Sequence, residues 1–283
     1  MPPPAFPRHS LLGCAAVLVL ATACAAWSPS SRPSAPVSGP SSASGQVMPT
    51  DAGPGWRRVF ADDFTAAVPT GGFPSQVASR WSAYRDGWTD TSGNGTYVPS
   101  KVLSQHDGVL DFFVHSENGV HMVSAPLPVI PGAPGSEGGL VAGRYTVRFR
   151  SDVLPGYKTA WLLWPDSERW PTDGEIDFPE ARLDGADTIT GFVHRQGGSG
   201  QDAYDSRTVA AGTGWHTATI EWKPGWCRFT LDGRVLGTST VDVPDTPMHL
   251  VLQTETYTSG PPPSDAVAGH VLVDWVTVDV PTA

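Results

Sequence analysis

Apolar residues in this chain recur at every second position, in short runs broken by glycine and proline. Arg144 to Arg150 (RYTVRFR) sets Tyr145, Val147 and Phe149 against Thr146 and Arg148. Val109 to His115 (VLDFFVH), His216 to Trp222 (HTATIEW) and His270 to Val280 (HVLVDWVTVDV) alternate in the same way. A period of two places one set of side chains on each face of a strand. No stretch keeps a helical period over three turns. Cys227 to Ser239 (CRFTLDGRVLGTS) predicts a hairpin turning at Asp232-Gly233, because Asp-Gly readily takes the positive φ of a type I′ turn. Many short strands with turn residues between them predict an all-β antiparallel sandwich or jelly roll, not alternating β/α units.

The N-terminal part is of another kind. Leu11 to Ala23 (LLGCAAVLVLATA) is uncharged, follows Arg8 and His9, and is too short to span a bilayer. It suits a signal-peptide core, so residues 1–25 are expected to direct export. Ala21 and Ala23 suit a signal peptidase, while Cys24 after ATA also suits a lipobox, so free secretion and a lipid anchor both stand as readings. Either places the protein outside the cell, with a membrane contact only through that anchor. Residues 26–53 are rich in Ser, Pro, Gly and Ala and are expected to form a flexible tether. Residues 54–283 are then expected to form one folded domain and to be a monomer.

Net charge bounds the partners. The formal charge is −10, and without a Lys/Arg cluster such a chain is a poor nucleic-acid or anionic-lipid binder. Of the three cysteines only Cys227 lies in the mature domain, where it is expected to be a buried small hydrophobe. The 11 tryptophans exceed what a core of this size needs; flat aromatic faces suit the apolar faces of sugar rings.

Residues 174–180, GEIDFPE, hold three acids in six positions. On a strand, Glu175 and Asp177 share one face, and Ile176 and Phe178 point inward. A regular strand would send Glu180 inward as well. One extra residue, a β-bulge, would return it to the face of the other two, and Pro179 stands where a bulge tolerates proline. Three acids on one face suit glycosidic bond cleavage. One carboxylate attacks the anomeric carbon, another protonates the leaving oxygen and then activates water, with the two about 5–5.5 Å apart in a retaining mechanism. A solvated acidic surface and a calcium site are the competing readings. Trp161, Trp164 and Trp170 crowd the segment just upstream, which favours a sugar cleft.

Trp170 to Glu180, WPTDGEIDFPE, resembles the WP-x-x-GEID-x-x-E signature of glycoside hydrolase family 16, in its laminarinase-like branch. GRYTVRFR with TAWLLW, TGFVH, GWHTATIEWKPGWCRFTLDG and VLVDWVTVDV resemble the family's strands in type and order, so the likeness covers nearly all of Trp56 to Val280. It implies a concanavalin A-like jelly roll and an endo-acting retaining glycosidase of β-linked polysaccharide, laminarin first. It also implies Glu175 as nucleophile, Asp177 as its assistant and Glu180 as acid/base. Trp170 would stack a sugar, and Trp161 and His194 would lie on the cleft floor.

Two departures bear on substrate and packing. Gln253 (LVLQTETY) stands where laminarinases often carry Asn followed by Ala and Gly-Gly, and Phe178-Pro179 stands where many members have Ile-Met. Galactans, mixed-linkage glucans, transglycosylation and a non-catalytic sugar-binding role therefore remain alternatives. Asp90 to Gly95 (DTSGNG) begins like an EF-hand loop, but Lys101 stands where its last ligand, a Glu, is needed; a Gly-rich cleft loop is expected, with Trp88 as a sugar contact. There is no G-x-S-x-G elbow and no HExxH. His115, His121 and His216 are expected to be structural. Asp274, a charge in an apolar alternation, calls for an Arg partner; alternatively Asp63 and Asp274 hold a structural calcium, as in some family members. No cofactor is otherwise required.

Overall fold

The computed structural model describes residues 42–282 except 136, 187, 198–201 and 210–212, and in the strand Asp202–Val209 it describes the side chains of 202, 204 and 205 alone. The proposed signal segment, with Cys24, and the linker as far as residue 41 lie outside the described residues.

The expected strands form where alternation placed them, within a residue or two: Val109–Glu117, Gly143–Ser151, His216–Lys223 and Gly269–Pro281. The hairpin is present too, with Trp226–Leu231 and Arg234–Ser239 joined by Asp232 at φ 49° and Gly233 at φ 77°. These strands build the larger sheet, in the order Arg234–Ser239, Trp226–Leu231, His216–Lys223, Gly143–Ser151, Gly269–Pro281, Val109–Glu117. It continues through Val120–Val123 and Gly95–Tyr97 to Trp88–Thr89.

The smaller sheet is antiparallel, in the order Asp202–Val209, Thr188–His194, Glu175–Arg182, Tyr157–Pro165, Met248–Thr256. The two sheets meet through apolar side chains. Phe178 of the smaller sheet lies 5.2 Å, centroid to centroid, from Phe229 of the larger, and Trp161 lies 4.9 Å from Phe149. Where one face of a strand is inner and the other outer, burial alternates, as along Gly143–Arg150, whereas Met248–Thr256 is buried on both faces. This is the jelly-roll sandwich that the strand pattern predicts.

Residues 42–53, expected within the tether, are hydrogen-bonded to the larger sheet. Ser42 Oγ, Ser44 Oγ and the Ala43 amide donate to the Asp274 carboxylate, and Trp275 Nε1 donates to the Gln46 carbonyl. Asp274 thus takes three donors from this strap in place of the expected arginine. The arginines pair five residues further on, where Arg58 and Arg144 converge on Asp279.

Two further expectations hold in the structure. Cys227 is fully buried. The three histidines have structural partners: Glu117 for His115, Ser116 for His121 and Asp232 for His216.

Candidate active site

Glu175–Arg182 lies third in the five-stranded sheet, so neighbours on both sides report its register. Asp177 stands opposite Leu162 on one neighbour and Phe192 on the other. Glu180 stands opposite Ala160 and Thr190. Three steps along this strand therefore match two on each flank, which is one extra residue, a β-bulge at Phe178-Pro179. Ile176 and Phe178 point into the core, and Glu180 is brought back to the face of Glu175 and Asp177 with its side chain 26 % exposed. Gly174 opens the strand at φ +71°, where a Cβ would stand 2.7 Å from the His194 carbonyl oxygen. That explains the glycine of the motif.

Asp177 is buried between the two glutamates. Its Oδ2 lies 2.6 Å from His194 Nε2, while its Oδ1 meets no donor among the described residues. A proton on the adjacent Glu175 carboxyl would supply one. His194 Nδ1 in turn comes within 2.7 Å of Asp202 Oδ1, although not aligned for a hydrogen bond. Burial pulls the His194 ring down, but Asp177, Glu175 and Asp202 outweigh it and raise it to about 9. Burial, then Asp177, pushes Glu175 well above the ordinary carboxylate range, with His194 opposing. Glu180 is raised by the same two causes, and Lys158 opposes. Closely placed carboxylates share protons in this way, and the cluster keeps them to higher pH than separate acids would.

Cavities open on both sides of the acids. One, of ≈ 360 Å³, is walled by Tyr84, Trp88, Trp164, Trp170, Glu175 and Gln253 among others. Trp88 and Trp170 are the exposed aromatics there, at 51 % and 44 %, and Trp170 stacks on Trp164 with centroids 6.4 Å apart. The Asp90–Gly95 loop forms its rim, held by the Asp90 carboxylate, which accepts from the amides of Gly93, Gly95 and Thr256. The other cavity, of ≈ 340 Å³, includes Lys158, Glu180, Arg182, Thr190 and Tyr257. A carboxyl that keeps its proton, a second acid along the strand and aromatic walls can together bind a sugar chain and move a proton to it.

Most of the expected contacts converge. Trp170, Trp88, Gln253 and His194 reach the acids or the cavity beside Glu175. Trp161 does not. It is fully buried against Phe149, because Leu162 faces Asp177 and the next residue along a strand points the other way. The same parity places Lys158, Ala160, Leu162 and Trp164 toward the acids, and counting from Leu162 would have found Lys158 and Trp164.

The calcium expectation does not fit either. Asp63 and Asp274 border one small cavity, but the Asp274 oxygens face the N–H and O–H donors of residues 42–44. A hard cation needs oxygens with free lone pairs there. Among the described residues, Glu175, Asp177 and His194 alone bring three metal-ligand atoms within reach of one another. Of these, His194 Nε2 and Asp177 Oδ2 already face one another at 2.6 Å as an ion pair.

Comparison with known proteins agrees with this geometry. Residues 134–277 match the family model of glycosyl hydrolases family 16. Among solved structures, the laminarinase from Rhodothermus marinus is similar at TM-score 0.66 and 20 % identity, over 81 % of this chain and 98 % of that one. A non-specific endo-β-1,3(4)-glucanase of the same family, SCLam, is similar at 0.65 and 19 %, over 84 % and 94 %. A structure from work on endo-acting O-glycanases with which human gut microbiota initiate mucin breakdown is similar at 0.66 and 18 %, over 83 % and 94 %. Among curated proteins, the clotting factor G alpha subunit of Tachypleus tridentatus is 26 % identical over 88 residues, 29 % of this chain. The match spans only 13 % of that protein's length. The chain belongs to glycosyl hydrolase family 16, and is a glycoside hydrolase on a β-jelly-roll.

Proposed function

We propose that the protein is an exported, endo-acting β-glucan hydrolase that retains anomeric configuration, with β-1,3-glucan of the laminarin type as its substrate. The observation that carries the mechanism is the one-residue bulge, which sets Glu180 on the face of Glu175 and Asp177 between two cavities. Glu175, beside the aromatic cavity, attacks the anomeric carbon of the sugar stacked on Trp170. Glu180 gives its proton to the leaving oxygen, and the aglycone departs through the cavity that Glu180 borders. Glu180 then takes a proton from water, the water oxygen bonds to the anomeric carbon, and Glu175 is released. Asp177, paired with His194, takes up the Glu175 proton before attack. Water is the only co-reactant.

Uncharged aromatic walls favour a neutral hexose polymer, and two of the similar structures are named for β-1,3-glucan or β-1,3(4)-glucan cleavage. The apolar segment Leu11 to Ala23 and Cys24 favour export. The test is a screen of the purified domain on laminarin, lichenan, agarose, arabinogalactan and xyloglucan, with products sized and their anomeric configuration followed by NMR. Short β-configured products from laminarin are expected. Inverted products would end the mechanism, products longer than the substrate would make the enzyme a transglycosylase, and cleavage of agarose alone would replace the substrate.

A further inference from the structure

Lys158 occupies an unusual place for a lysine. Its side chain is 13 % exposed, and Nζ donates to Glu180 Oε1 at 2.9 Å. On its other side the same nitrogen lies 3.5 Å from Glu255 Oε2. The sheet dictates both contacts. Lys158 stands directly opposite Glu255 on the neighbouring strand and diagonally from Glu180, within reach of a long side chain. Glu255 is fixed from behind: its Oε1 accepts from the Thr91 amide at 3.1 Å, from Thr91 Oγ1, and from Tyr97 OH at 2.9 Å. The rim loop, Glu255, Lys158 and Glu180 thus form one chain of contacts.

We propose that Lys158 is the positioning residue of Glu180: it holds Oε1, leaves Oε2 to face the leaving oxygen, and is itself restrained by Glu255. This rests on reading Glu180 as the acid/base. That group must be neutral before the first step and anionic after it. A lysine bound to Glu180 alone would favour the anion throughout and impede proton loading. One shared with Glu255 gives a weaker pull, and still steadies the anion once the proton has gone to the leaving oxygen.

Among the described residues, the other charged groups around Glu180 are Glu175, Asp177 and Arg182 on its own strand, His194 on the next, and Asp184 in the adjoining cavity with Tyr257. Lys158 is the cation bonded to it. Burial pulls the Lys158 ammonium down, but Glu180 and Glu255 outweigh it and hold the ammonium above its ordinary value, so it stays charged through the working range.

The two partners of Lys158 make opposite predictions. Lys158→Met removes the cation, and the Glu180 titration should move up by about one pH unit. Glu255→Gln turns an amide toward Lys158, drives it onto Glu180, and should move the titration down. Lys158→Arg should restore the parental value. Carboxyl ¹³C NMR of Glu180 reads all three without a substrate, and the alkaline limb of kcat/KM on laminarin should move in the same directions. A residue that only stabilised the fold would lower the melting temperature without shifts of opposite sign. If Glu255→Gln does not fold, Lys158→Met against Lys158→Arg still decides. Glu180 titrating alike in parent and Lys158→Met overturns the bridge. Opposite shifts in a protein that cleaves no glycoside overturn the hydrolase roles instead.

Discussion

His194 couples the acidic cluster to the stability of the whole domain. Its ring titrates at about 9 in the folded protein against about 6.5 in an unfolded chain, and the difference corresponds to about 3 kcal/mol at about 1.36 kcal/mol per pH unit. The ring is 21 % exposed, so little of this is lost to solvent. The folded value is the raised one. The contribution is therefore complete below about pH 6.5 and disappears as pH rises through about 9. His194→Gln keeps the size and loses the charge. Chemical denaturation of both proteins from pH 6 to 9.5 should show the parent's advantage shrinking by about 3 kcal/mol, or roughly 6–12 °C in melting temperature for a domain of this length. Asp177→Asn, which removes the partner, should flatten the same difference. If parent and His194→Gln lost stability in parallel across that range, the pairing of His194 with Asp177 would not be the source of the charge.

Three further outcomes follow from the site and its frame. Glu175→Ala should lose nearly all turnover while keeping the parental circular dichroism, and azide should partly restore it by yielding a glycosyl azide of inverted configuration; full activity in the variant would refute the nucleophile. Trp170→Ala should raise KM on laminarin roughly 5–30-fold, the equivalent of about 1–2 kcal/mol of lost stacking, whereas Trp161→Ala should leave KM near the parental value and cost about 3–5 kcal/mol of stability. Asp90→Asn sets an amide against donors of Thr256 and of its own loop, and should lower the melting temperature by roughly 4–12 °C at about 2–3 kcal/mol; an unchanged melt would mean that Asp90 does not hold the rim.

The strands were legible because one inner face per sheet forces a period of two, and alternation in RYTVRFR or HTATIEW admits little else. The bulge was legible for the same reason: Glu180 had the wrong parity, and Pro179 marked where the count could change. Trp161 was misplaced because resemblance supplied the aromatic and no count of parity along Tyr157–Pro165 corrected it. Lys158 carries only its parity along Tyr157–Pro165, and Glu255 carries no local signal. Lys158 meets Glu180 across one strand boundary and Glu255 across another, and a strand pairing that joins residues almost a hundred positions apart is set by topology. The docking of Ser42 and Ser44 was hidden by composition, since small polar residues that look unable to order themselves found a buried carboxylate.

That docking also fixes where the polypeptide leaves the sandwich. Arg148, which points out of the larger sheet, donates to Ser44 Oγ, so residues 42–46 run across the outer surface of that sheet. The acids lie on the smaller one. A carrier protein, affinity label or immobilisation linker joined at residue 42 therefore attaches behind the larger sheet, on the far side of the sandwich from the acids.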